Sequence, residues 1–289
     1  MITGATLLNY QERYSTKEYF IRRIKKTVFP YVAWSFIGIL FLLAGHKISP
    51  NDITLCWIIN ALLSTNQIIG IYWFFAPLFC VYLSIPMFAS IEKEKKKCVA
   101  EYVIFVSFIV NITVPFSISV LDSNIVWEYR LLPASEYIFY IWVGYYLYFY
   151  PISNRIKWLI YSASVLGLLS HMVGTYHLSM INGKIIHTYK GYLNLPCIIY
   201  SIGIFVLIKD VAKKLEKNKK VTKFINYLAK YSFSLYLMHF FIMRIIEVLT
   251  HVDTRSIYYR LFIPYVIFTI VIFVTWILRK IPVIKLIVP

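Results

Sequence analysis

The run Tyr231, Ser232, Phe233, Ser234, Leu235, Tyr236, Leu237, Met238, His239 holds the densest set of chemically capable groups in this chain. Helical spacing places Ser232, Tyr236, His239 and Glu247 on one stripe. His239 lies eight residues into an apolar stretch, about 12 Å along a helix axis. An ionisable group at that depth is costly unless paired or hydrated, which makes it a candidate for proton transfer. Arg244 and Glu247 are three residues apart and can pair on the helix surface. The same residues also fit a structural reading, in which His239 bonds a neighbouring helix and the pair is a clasp. Arg130, Glu136 and Arg260 are expected near the outer surface, either as a cluster for an anionic or sugar substrate or as scattered interfacial charges. Trp73, in the run Tyr72, Trp73, Phe74, Phe75, is expected at the outer end of its span. There it offers a stacking face for a sugar or acyl carrier, or belongs to an interfacial belt. His171 and His177, six apart, point to different faces and suit structural roles. Cys56, Cys80, Cys98 and Cys197 form no CxxC pair and have no His at ligand spacing, so they read as buried free thiols, with neither zinc nor a disulfide framework.

The elements that must position these residues follow from composition. Of 289 residues 60% are hydrophobic and 15% charged, far from soluble usage, so soluble enzymes, secreted disulfide scaffolds and disordered tails are excluded. Eight apolar runs are long enough to be helical spans: Thr27–Gly45, Ile71–Ser90, Val99–Leu121, Ala134–Tyr150, Trp158–Leu178, Tyr192–Ile208, Tyr231–Leu249 and Ile257–Leu278. An outer-membrane barrel would instead show short alternating strands. Ile53–Leu63, after Ser49, Pro50, Asn51 and Asp52, is too brief to span and reads as a short interfacial helix. The expected fold is therefore an all-α polytopic transmembrane helix bundle, about eight spanning helices plus that interfacial helix, in a single membrane domain over residues 1–289.

The formal charge of +17 would suggest nucleic acid in a soluble protein. Here the basic residues lie between apolar runs, where they set orientation and meet anionic lipid headgroups, so membrane lipids rather than nucleic acid are the expected partners. If the eight spans alternate, 22 Lys and Arg fall on one side, and Lys47, Arg130, Lys184, Lys190 and Arg255 on the other. The positive-inside rule then makes both termini cytoplasmic. Glu101 and Lys230, at span ends, are expected to snorkel to water. Met1–Asn9 lacks the basic start of a signal peptide and reads as the last turns of a membrane helix. The basic, aromatic segment Tyr10–Lys26 is expected to lie along the cytoplasmic surface before the chain re-enters at Pro30.

Five stretches together resemble the acyltransferase 3 family of integral membrane O-acyltransferases. MITGATLL followed by FIRRIKKTVFPYVAWSFI is similar to that family's Ser-Gly helix end, basic cytoplasmic helix and Pro-containing next span. IYWFFAPLFCVYLSIP resembles its Trp-Phe-Leu helix, YIFYIWVGYYL its aromatic span ending in Gly, and YSFSLYLMHFFIMR its late Tyr-Ser-x-x-x-Tyr-Leu-x-His helix. Each motif alone is loose, but their order through nearly the whole chain is more specific. The resemblance also implies one and a half earlier spans, bearing an Arg and the His generally assigned to acyl transfer. Nothing in this sequence corresponds to them, so an N-terminally truncated chain is the expectation and His239 is not promoted to that role.

What the resemblance implies is transfer of an acyl group, most simply acetyl from a cytoplasmic acetyl-CoA or other acyl-CoA, to a hydroxyl of a cell-surface polysaccharide or lipid-linked glycan. The implied setting is a multi-pass protein of a bacterial inner or plasma membrane, with no metal. His239, Tyr236 and Arg244 are then the candidates for the chemistry, and Trp73, Arg130, Glu136, Glu247 and Arg260 for substrate binding. The rival readings are a polysaccharide exporter without acyl chemistry, which an inverted repeat would favour, and a non-catalytic remnant.

Overall fold

Apolar runs separated by basic clusters become helices throughout the computed structural model, which describes residues 1–121, 124–134, 136–282 and 284–288. In chain order the helices are α1 (Ile2–Leu7), α2 (Thr16–Ala44), α3 (Leu55–Ser64) and α4 (Phe75–Ala89), the last preceded by a tight turn at Gly70–Phe74. There follow α5 (Lys93–Val120), α6 (Tyr137–Phe149), α7 (Asn154–Asn182), α8 (Leu195–Leu215), α9 (Lys219–Ala229), α10 (Ser232–Thr250) and α11 (Ile257–Leu278). Among the described residues there is no strand, and seven helices are long and apolar enough to cross a membrane. The chain divides into two compact units, Met1–Tyr14 with Leu83–Lys217 and Ser15–Tyr82 with Asn218–Pro289.

The expectation that Tyr10–Lys26 lies flat and the chain re-enters at Pro30 is corrected by α2, which runs unbroken from Thr16 through Pro30 to Ala44. Proline removes a donor and crowds the carbonyl four residues back. Here the preceding Ile24–Val28 turn widens to a π-turn, with the Phe29 N–H reaching Ile24 O, and the helix passes the proline without a break. The same device recurs in α5, where a π-turn at Phe108–Thr113 precedes Pro115 and the Thr113 hydroxyl donates to Phe108 O at 2.8 Å.

In the first unit α6 is the buried centre, with Phe139, Ile141, Trp142, Val143, Gly144, Tyr145 and Leu147 all inside. It has only 13 residues where a 17-residue span over Ala134–Tyr150 was expected. The bounds are set locally: Glu136 adopts φ 54° at one end, and Tyr150 is extended before Pro151 at the other. The helix ends at the level of the basic run, since Lys97 lies over the Tyr150 ring and the Tyr146 hydroxyl donates to Glu101 at 2.9 Å. Its other end meets α5 near Phe108, whose ring stacks on Phe139 at 6.5 Å, twelve residues or about 18 Å short of Val120. Before it the loop 124–134 is pinned to α5 through Trp127 and Leu131, while Ile125, Val126, Tyr129 and Leu132 stay exposed.

Lys96, one of the four lysines of the Glu92–Lys97 run, is 4% exposed. Its ammonium donates to Leu8 O (3.3 Å), Ala89 O (3.3 Å) and Asn9 Oδ1 (3.2 Å) beside the face of Tyr145. It thus closes the C-terminal ends of α1 and α4, where unpaired carbonyls favour a cation. Its neighbour Lys93 takes the acid instead, and that hydrogen bond holds the Glu12 carboxyl below the usual carboxylate range. Lys96→Met is therefore expected to leave two carbonyls and an amide oxygen unpaired, at about 1–3 kcal/mol. A thermal-unfolding series in detergent should show the loss for Lys96→Met and little change for the exposed Lys95→Met.

In the second unit α3 runs back beside α2. The Tyr31 hydroxyl donates to Leu62 O at 2.7 Å, and Tyr31 lies 13 residues, about 20 Å, from Ala44 along the axis. The short helix expected here is thus present, but its last turn enters the apolar layer. The chain then leaves helical geometry at Thr65 (φ 62°) and passes Gly38 with Ile68 and Ile69 buried. Cys56, Cys80 and Cys98 are exposed on outward helix faces, which corrects the expectation of buried thiols; Cys197 is buried.

Candidate functional site

On α10 the buried stripe is Ser234, Leu237, Met238 and Phe241. At about 100° per residue the stripe of Ser232, Tyr236, His239 and Glu247 falls on nearly the opposite side. Ser232 and Arg244 are exposed, whereas Tyr236 and His239 are half-buried. The Tyr236 hydroxyl donates to Ile71 O, and the Tyr72 hydroxyl donates to Leu237 O at 2.9 Å. These reciprocal bonds tie α10 to the Gly70–Phe74 turn, satisfying carbonyls on both. Trp73 sits in that turn, whose neighbours Tyr72 and Phe75 pack on Tyr31 with ring centroids 6.0 and 4.5 Å away. It stands in the first turn of the apolar segment Gly70–Ala89, the end of the span where the sequence places it, at the level of Tyr31 on α2.

His239 Nδ1 stands 3.0 Å from Leu235 O. A carbonyl accepts, so in this contact Nδ1 is the donor, and Nε2 is the other ring nitrogen. The Arg244–Glu247 pair expected from spacing forms at 2.7 Å, with Arg244 on the half-exposed side, and Tyr259 donates to the other carboxylate oxygen at 2.7 Å. Glu247 is thus fully engaged, as a clasp between α10 and α11. His171 meets Tyr189 O at 3.0 Å, a structural contact, and His177 is exposed.

The other cluster is in the first unit. A cavity of about 310 Å³ is lined by Ser107, Asn111, Trp127, Tyr129, Arg130 and Glu136 among others. Its wall is built from the π-turn of α5, which leaves Val110 O free to accept from Trp127 Nε1 at 2.9 Å. Asn111 pins the loop 124–134 on both its amide atoms: Nδ2 donates to Leu131 O at 3.1 Å, and Leu131 N–H donates to Oδ1 at 2.8 Å. Ser107 donates to Ala134 O at 3.0 Å. Arg130 and Glu136 remain on the lining without an ion-pair or hydrogen-bond partner among the described residues. Arg260, expected with them, is not on this lining; it is exposed in the first turn of α11, in the second unit.

Glu136 is held at φ 54°, ψ −130°, a conformation natural to glycine. Backbone strain of this kind persists where the surroundings impose it, and it concentrates at functional sites. A cavity lined by a guanidinium, a carboxylate and two aromatic rings can orient a polyhydroxylated or anionic ligand. Sequence reasoning found the two charges but missed Ser107, Asn111 and Trp127. The available signal was Pro115, five residues after the carbonyl it helps to free. Among the described residues no group of His, Cys, Asp and Glu could hold a metal.

A family model described as an acyltransferase domain, that of the acyltransferase 3 family, matches residues 1–279. No curated protein and no solved structure matches the chain. With the match covering nearly its full length, the chain belongs to the acyltransferase 3 family and is a membrane acyltransferase.

Proposed function

We propose that this protein O-acylates a glycan: an acyl group, acetyl in the simplest case, moves from a cytoplasmic acyl-CoA to a hydroxyl of a cell-surface polysaccharide or a lipid-linked precursor. The observation that carries the acceptor side is the cavity lined by Arg130, Glu136 and Trp127, the two charges having no ion-pair or hydrogen-bond partner among the described residues. A carboxylate accepting from sugar hydroxyls, a guanidinium donating to ring or carboxylate oxygens, and an aromatic face for the ring's C–H side are what glycan binding uses.

Chemically, the acceptor oxygen attacks the thioester carbonyl, a C–O bond forms, the C–S bond breaks, and the hydroxyl proton passes to a base and on to the thiolate. Among the α10 candidates His239 best fits a proton acceptor, because the Nδ1 contact to Leu235 O orients its ring and leaves Nε2 as the nitrogen that could take a proton. Tyr236, committed to Ile71 O, and Arg244, paired with Glu247, then serve as positioning groups. The charge asymmetry of the loops supports a plasma-membrane orientation with the Glu92–Lys97 and Lys209–Lys223 runs cytoplasmic.

The test is an assay in membranes holding the full-length protein, supplied with radiolabelled acetyl-CoA and purified cell-surface polysaccharide. Base-labile label in the polysaccharide, reduced at least tenfold by Glu136→Gln, is the expected result. Translocation of glycan without any ester formation would replace this reading with the exporter.

A further inference from the structure

The segment Thr65–Phe74 breaks the helical path inside the apolar layer. Gly38, against which Ile68 and Ile69 pack, is eleven residues from Thr27 and seven from Gly45, the ends of the uncharged part of α2. That is about 16 and 10 Å along the axis, so Gly38 sits near mid-depth. Leu62, bonded to Tyr31, lies deeper toward the basic end of α2. Asn66 and Gln67 fall between these two anchors, and both are exposed, as is Gly70.

Exposed amides on non-helical backbone cannot face hydrocarbon, where each unsatisfied polar group costs several kcal/mol. Such segments occur only where protein covers them or where they line water. No part of the described chain covers Asn66 and Gln67. Thr65, immediately before them, is 3% exposed in a left-handed conformation that a β-branched residue adopts only under constraint, and its hydroxyl oxygen has no partner among the described residues. From Ile53 to Ile91 the sequence contains no Lys, Arg, Asp, Glu or His. The exposed residues of the segment are Asn66, Gln67, Gly70 and Phe74, two amides with no charge among them.

We propose that Thr65–Phe74 lines a water-filled vestibule within the apolar layer, and that it receives a neutral, amide- or hydroxyl-bearing chain. Two primary amides present donors and acceptors that match another amide or a hydroxyl, with no charge to recruit an ion. The vestibule ends at Trp73, whose turn is bonded to Tyr236 one helical turn from His239. A ligand chain entering it would therefore approach the α10 candidates. The vestibule itself does not depend on the acyl-transfer reading.

Thiol alkylation tests this without any activity assay. In full-length protein in membranes, with the four native cysteines replaced by Ser, Asn66→Cys and Gln67→Cys are compared with Leu40→Cys, an exposed position on α2 at similar depth. A thiol in hydrocarbon stays protonated and inert, whereas one in water reacts as thiolate. Iodoacetamide, itself a neutral amide, is expected to alkylate both at least tenfold faster than Leu40→Cys. Iodoacetate should lag further than it does on a free thiol in solution. Rates as slow as at Leu40→Cys, in variants that remain monodisperse in detergent, would overturn the vestibule; iodoacetate keeping pace with iodoacetamide would overturn its neutral selectivity.

Discussion

Replacing Glu136 with Gly is expected to make the protein more stable and much less active. The stability gain comes from the backbone: at φ 54°, ψ −130° a side chain is strained where glycine is not, and strain of this kind is about 1–3 kcal/mol. Part of that is returned because glycine also loosens the unfolded chain. A rise of a few degrees in apparent melting temperature is the readout. The activity loss comes from the carboxylate, which has no partner among the described residues and so is available to the acceptor. A hydrogen bond to a charged group contributes about 1.5–3 kcal/mol, which corresponds to roughly a ten- to hundredfold loss of acyl transfer. Glu136→Gln separates the two effects, since it keeps the strained side chain and removes only the charge. It should lose activity at unchanged stability. If Glu136→Gly unfolded more easily than the parent, or retained full activity, the carboxylate would be a structural feature of the loop and the cavity would lose its claim to the acceptor.

Why the sequence disclosed some of this and not the rest is a matter of range. Apolar length and charge runs are local, and they located the long helices and the Arg244–Glu247 pair, whose partners lie within one turn. They also marked Arg130 and Glu136, because ionisable residues near a span end stand out against their surroundings. Asn111 did not stand out: its role depends on a loop twenty residues later returning to meet it. Pro30 read as a boundary because proline ends most helices, and the compensating π-turn at Ile24–Val28 carries no recognisable side-chain signature. Lys96 was hidden among Lys93, Lys95 and Lys97; only the convergence of the α1 and α4 ends distinguishes it.

Gly4→Leu should prevent the first unit from assembling, and the reason is visible in how α1 meets α6. A Cβ on Gly4 would overlap the carbonyl oxygen of Ile141 and lie 2.7 Å from its carbonyl carbon; one on Gly144 would overlap the backbone of Met1. Residue 4 thus faces 141 while residue 1 faces 144, which fixes an antiparallel crossing with two backbones in direct contact. In membranes, where apolar side chains gain little by leaving lipid for protein, such close approach through small residues is a main source of helix association. The obstruction is backbone rather than a side-chain tip, so no rotamer change relieves it. Nor can α6 retreat, because Trp142 is 1% exposed with Phe88 at 5.2 Å on another side. Overpacking of this kind costs about 1–3 kcal/mol where neighbours yield and more where they cannot. Gly70→Ala is the control, as a Cβ there has nothing within 4 Å. The effect should extend to function, because the first residue of α6 follows Glu136 directly: Gly144→Ala, the mildest change, is expected to reduce acyl transfer more than it reduces the yield of folded protein. Fluorescence-detected size exclusion separates these outcomes, with Gly4→Leu aggregated and Gly70→Ala monodisperse. A monodisperse, parent-like Gly4→Leu would mean that α1 does not hold α6 in place.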